Sequence, residues 1–115
     1  MENELLKKLN TLNEKSSIKD IQEYANKMIE ERGFEDETPQ DILMLLTEEL
    51  GELAKEVRKS TSVKIDVNKT KRESHIEEEI ADIFNYLLAM CRATNVDLFE
   101  AFKKKEEINM KRTWK

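Results

Sequence analysis

Apolar residues recur every three or four positions in four separate runs of this chain, and a helix-start signal precedes each run. Ile18, Ile21, Ala25, Met28 and Ile29 form the first run. It lies behind a Ser17-Ile18-Lys19-Asp20 capping box and ahead of Gly33, a residue suited to a helix C-cap. Ile42, Leu45, Leu46, Leu50, Leu53 and Val57 form the second, behind a Thr38 capping hydroxyl and Pro39 at the first helical position. Ile76, Ile80, Ile83, Phe84, Leu87 and Cys91 form the third, behind Ser74-His75-Ile76-Glu77. Leu98, Ala101 and Phe102 begin the fourth, behind Asp97-Leu98-Phe99-Glu100. A short N-terminal helix carrying Leu5, Leu6, Leu9 and Leu12 is a fifth. The pattern predicts an all-α bundle of four to five helices. A compact loop over 31–38 and a tight turn over 94–96 join neighbouring helices. The polar, mostly basic stretch 60–73 is either a loop over a site or a solvated linker.

Composition narrows the class. A chain of 115 residues accommodates one domain, 1–115. Only two glycines and one proline are present, too few for the tight turns of a sandwich or barrel. Cys91 is the single cysteine, which excludes an internal disulfide framework and a Cys-rich zinc site and fits a reducing compartment. No apolar run approaches the roughly 18 residues of a membrane span, and the opening MENELLKKLN lacks the apolar stretch of a signal peptide. Twenty Lys and Arg against 25 Asp and Glu leave a net charge of −5, so a nucleic acid polymer is a poor partner. The expectation is a small cytoplasmic protein that engages neither membrane nor nucleic acid polymer.

Two central helices carry acids where apolar residues belong. Glu49 stands three residues after Leu46 and four before Leu53; Glu79 stands three after Ile76 and four before Ile83. Glu52 and Asp82 follow three residues later on the same sides, while Glu48, Glu77 and Glu78 fall toward solvent. Each of the two helices thus turns an E-x-x-[ED] pair toward the interior. Two like charges about 5 Å apart repel by about 3 kcal/mol at an effective dielectric of roughly 20. Four converging acids therefore need compensation. A divalent cation supplies it, and ligation by oxygen alone selects Mg²⁺ or Mn²⁺ over zinc or copper. The plainer alternative keeps these acids at a bundle edge, paired with lysines.

The last helix changes character along one face, where Leu98, Ala101 and Phe102 give way to Lys105, Asn109 and Arg112. Those residues either meet phosphate oxygens or form a solvated helix end whose basic charge matches the dipole. Asn85, one turn past Asp82, faces either a substrate or another helix. Cys91 lies in an apolar stripe and reads as core. His75, beside Ser74, reads as structural or exposed, and Met28, Met44 and Met90 as core or interface filler.

These residues in order resemble the MazG-like nucleoside triphosphate pyrophosphohydrolases, an all-α superfamily that also holds dimeric dUTPases and phosphoribosyl-ATP pyrophosphohydrolases. The family signature pairs E-E-x-x-E on one helix with E-x-x-D on the next, here Glu48-Glu49-Leu50-Gly51-Glu52 and Glu79-Ile80-Ala81-Asp82. Glu31-Arg32-Gly33-Phe34 and Thr38-Pro39 extend the likeness upstream. Asp82 to Leu88, Val96-Asp97-Leu98 and Asn109-Met110-Lys111-Arg112 extend it downstream, so that it covers about residues 17–113.

The resemblance implies Mg²⁺-dependent hydrolysis of a nucleoside triphosphate between its α and β phosphates, giving monophosphate and pyrophosphate, in house-cleaning of the nucleotide pool. It implies metal ligation by Glu49, Glu52, Glu79 and Asp82, with Mn²⁺ as an alternative ion, and a catalytic part for Glu48 and Glu49. It implies substrate contacts from Phe34, Asn85, Lys105, Asn109 and Arg112, with Phe34 as a base platform where many relatives have Trp. It also implies a homodimer or homotetramer, to which Leu43, Met44, Leu88 and Phe99, lying off the main stripes, add some support. Two rivals stay open. One is a related activity, a phosphoribosyl-ATP pyrophosphohydrolase or a dUTPase or dCTPase, told apart by substrate. The other is a non-catalytic helical interaction module whose acidic faces bind a basic partner.

Overall fold

Five helices follow one another in the computed structural model, which describes residues 2–61 and 75–114. They are α1 (Glu2–Thr11), α2 (Ile18–Glu31), α3 (Pro39–Ser60), α4 (Ile76–Thr94) and α5 (Leu98–Met110), and no strand occurs among the described residues. The loop-or-site question over 60–73 and the Ser74 cap fall on 62–74, outside the described residues.

Local chemistry explains where the helices start. Ser17 and Thr38 close full capping boxes: each hydroxyl accepts the N–H of Asp20 or Asp41, whose carboxylate accepts the cap residue's own N–H. At Asp97 only half of the expected box forms, with its carboxylate accepting the Glu100 N–H at 3.0 Å. The neighbouring Leu98 N–H, also free at the start of the helix, goes to the Gln22 side chain at 2.8 Å, and the Gln22 amide donates to the Val96 carbonyl at 3.1 Å. Gln22 thereby ties α2 to the turn before α5. The N-cap of α4 is His75, whose side chain makes no capping bond.

The ends are equally specific. Gly33 takes φ +74°, and the N–H groups of Gly33 and Phe34 return to the carbonyls of Glu30 and Ile29 at 3.2 and 2.9 Å. Asn95 does the same after α4, at φ 56°, with Asn95 and Val96 bonding Arg92 and Cys91. Both are Schellman turns. Leu12, grouped by spacing with α1, lies one residue past it, where its N–H bonds the Leu9 carbonyl.

α3 and α4 share the most extensive helix–helix contact; α2 packs on α4, and α1 and α5 each lean on α2. The core is small: Leu5, Ala25, Met28, Ile29, Ile42, Leu88 and Cys91. Leu88, expected on an oligomer face, is only 2 % exposed and belongs to this core. Met28 joins it, Met90 is half-buried and Met44 is exposed. α5 buries no residue fully: of the inward line expected through Leu98, Ala101 and Phe102, Leu98 is half-buried, while Ala101 and Phe102 are uncovered by the described residues, Phe102 being 60 % exposed. The cause is that the main packing of α5 is on α2, along a short stretch.

Candidate metal centre and adjoining cavity

The α3–α4 packing brings acids from two helices together. Glu49 on α3 and Glu79 and Asp82 on α4 each offer a carboxylate oxygen, all lying within 4.8 Å of one another. Glu49 and Glu79 are half-buried and Asp82 is exposed, as expected of an acid inside a stripe and one beside it. Glu52 is exposed and stands outside this group, but its charge still acts on Glu79. Glu48, Glu77 and Glu78 face solvent.

The crowding has a measurable consequence. A hydrogen bond with Glu49, then desolvation, then the charges of Glu49, Asp82 and Glu52 push the Glu79 carboxyl up to about 7. Glu79 Oε2 is nonetheless buried without a hydrogen-bond partner among the described residues. A buried carboxylate oxygen left unpartnered beside two further carboxylates suits a cation, and an all-oxygen donor set suits Mg²⁺ or Mn²⁺. The residues fit the ion.

Beside the acids opens a cavity of about 280 Å³. Glu49 and Asp82 belong to its wall, and so do Asn85, Tyr86, Ala89 and Arg92, which recur at helical spacing along one face of α4. Met28, Ile29 and Ile42 give it an apolar floor. Phe34 enters because the Schellman turn at Gly33 stops α2 and swings the next residue outward. Burial, then the charges of Glu49, Glu37, Asp82 and Glu48, raise the Tyr86 phenol above its ordinary range, so it stays a neutral donor. The site thus joins an anionic end to an aromatic and apolar recess.

The remaining expected residues lie elsewhere. Lys105, Asn109 and Arg112 do not line the cavity. Asn109 donates from its amide to Glu106 at 3.1 Å, while its side-chain oxygen is buried with no partner among the described residues. Arg112 stacks on Trp114, its guanidinium 5.1 Å from the ring centroid, and the indole N–H donates to the Asn109 carbonyl at 3.3 Å. Cys91 is buried and its thiol is pushed up by that burial, which agrees with packing and not with nucleophilic chemistry. His75 is exposed.

Sequence reasoning left several contributors without a role. Tyr86 and Ala89 stand four and seven residues after Asp82, so the same spacing argument reaches them. Arg32 and Glu37 line the cavity from the α2 end and the loop after it, where no periodicity marks them. Glu56 is the one buried charged side chain among the described residues. A family model described as the MazG nucleotide pyrophosphohydrolase domain matches residues 37–112. No curated protein matches the chain.

Proposed function

The chain belongs to the MazG nucleotide pyrophosphohydrolase family, and from that premise we propose that it hydrolyses a nucleoside triphosphate between the α and β phosphates, releasing a monophosphate and pyrophosphate. The observation that carries this reading is the trio of carboxylate oxygens within 4.8 Å, one acid of which keeps an unpartnered buried oxygen, at the mouth of a half-apolar cavity.

Glu49, Glu79 and Asp82 would hold Mg²⁺ or Mn²⁺, with the nearby charge of Glu52 adding to the anionic field. When bound there, such a cation would supply charge neutralisation at the phosphates and a more acidic water. Glu48, exposed one residue before Glu49, orients the attacking water. Phe34 offers a face to the base and Asn85 a hydrogen-bonding amide, while Met28, Ile29 and Ile42 keep water from the nucleoside. Catalysis is then positioning and electrostatics, without a covalent intermediate.

The protein works as a homo-oligomer. Its accessible surface of 9335 Å² exceeds the roughly 6,600 Å² of a folded monomer of this mass. Leu43, Leu50 and Val57 on α3, with Ile80, Phe84 and Leu87 on α4, lie exposed at helical spacing. A second copy is the partner that suits such a face on both helices of the hairpin. Lys105, Asn109 and Arg112 meet phosphate when α5 of a second copy covers the cavity mouth.

A panel of dNTPs and NTPs incubated with Mg²⁺, scored for pyrophosphate against orthophosphate, tests the reading. Pyrophosphate with a matching monophosphate is expected. Orthophosphate as the primary product puts the cut at another bond and defeats the assignment.

A further inference from the structure

Among the described residues, the starts of α2, α3 and α5 carry a local side-chain cap, from Ser17, Thr38 and Asp97, and the start of α4 carries none. His75, at φ −116° and ψ 34°, makes no side-chain capping bond; its imidazole instead approaches Glu78 at 3.6 Å. The cap arrives from another helix. Glu56 on α3 accepts the His75 backbone N–H at 3.3 Å through Oε2, and the Lys59 ammonium at 3.3 Å through Oε1. Glu56 is only 6 % exposed. Burying a charge is costly unless it is paired and hydrogen-bonded, and this carboxylate has both a cation and a helix N-terminus.

The exception falls on the helix that supplies two of the three gathered acids. The His75 carbonyl accepts the Glu79 N–H at 3.2 Å, so Glu79 stands one turn from the Glu56 clamp. On α3, Glu56 lies seven residues after Glu49, on the same face. The helices therefore meet at two levels, the Glu49 and Glu79 carboxylates with oxygens within 4.8 Å of each other, and Glu56 with the His75 N–H. A local cap would close the end of α4 but leave its position along α3 open. A cap anchored on α3 fixes both.

We infer that Glu56 is a positioning residue for the metal centre, setting where Glu79 stands against Glu49. The inference rests on the reading of those acids as cation ligands. What matters is an acceptor at the reach of a glutamate. Glu56→Gln keeps that reach and an acceptor oxygen but removes the charge; Glu56→Asp keeps the charge but falls a methylene short; Glu56→Ala removes both.

The experiment is a Mn²⁺ titration of the full chain without nucleotide, followed by the electron paramagnetic resonance of free Mn²⁺. It is run well below the melting temperature of each variant, with circular dichroism confirming helix content. Glu56→Ala and Glu56→Asp are expected to weaken Mn²⁺ binding about tenfold, the lower end for outer-shell partners of metal ligands. Glu56→Gln is expected to stay close to wild type. Folded Glu56→Ala that melts earlier yet binds Mn²⁺ unchanged shows a stabilising role only and overturns the inference. Glu56→Asp matching wild type while Glu56→Gln does not also overturns it, because charge alone would then matter. If Glu56→Ala does not fold, the order of Asp against Gln decides. Wild-type protein that takes up no Mn²⁺ defeats the metal reading itself, a different outcome from unequal variants.

Discussion

Glu79 keeps its proton to about pH 7 because Glu49 is hydrogen-bonded to it and further acids surround it. The sign of the resulting pH dependence follows from linkage. Between the ordinary carboxylate range and that raised value the folded state binds more protons than the unfolded chain, so stability falls as pH rises. Metal-free protein is expected to melt at lower temperature at about pH 8 than at about pH 5, with Glu79→Gln flattening the slope over that window. Mg²⁺ should raise the melting temperature more at the higher pH, since it replaces the proton as counter-charge; differential scanning fluorimetry checks both. Glu56 has the opposite sign: its carboxyl is held below the ordinary value despite burial, by the His75 N–H and by Lys59, and its contribution is lost as pH falls. Glu49→Gln or Asp82→Asn is expected to abolish pyrophosphate release while circular dichroism stays unchanged. Glu49, Glu79 and Asp82 were legible because each breaks or borders an apolar stripe. Glu56 has the same relation to Glu49 and Leu53, yet its partner is a backbone N–H nineteen residues on, which no side-chain pattern announces.

Helix starts at Ser17 and Thr38 and the end at Gly33 could be read from the chain because each is a local bargain between a side chain or a glycine and backbone groups within a turn. The Gln22 bridge could not, since its partners Val96 and Leu98 lie more than seventy residues away. Gly33 connects this level to the site. Its φ of +74° is strained for any residue with a Cβ, while nothing lies within 4 Å of where that Cβ would stand. The cost of Gly33→Ala is therefore backbone strain alone, about 1–2 kcal/mol by denaturant unfolding. Because the same turn delivers Phe34 to the cavity, the variant is also expected to raise KM for the nucleotide more than it lowers kcat. Phe34→Ala should raise KM without the stability loss, Phe34 being half exposed.

A radius of gyration of 17.5 Å exceeds the roughly 13 Å of a compact chain of this length, and α3, α4 and α5 each leave large apolar side chains exposed. Spacing located these helices but not what covers them, because a stripe facing the protomer core and a stripe facing a second copy have the same period. Leu50→Lys combined with Ile80→Lys is expected to reduce the mass seen by light scattering to that of one chain and to cut pyrophosphate release with it. Wild-type protein with the mass of one chain would defeat the oligomer reading, and an unchanged higher mass would exclude this face. Trp114 is the only tryptophan in the sequence, 70 % exposed and stacked on Arg112. Intrinsic fluorescence excited in the indole band consequently reports from a single spot, just past the end of α5. Any event that draws the guanidinium away, an arriving triphosphate included, leaves an optical trace that needs no added dye.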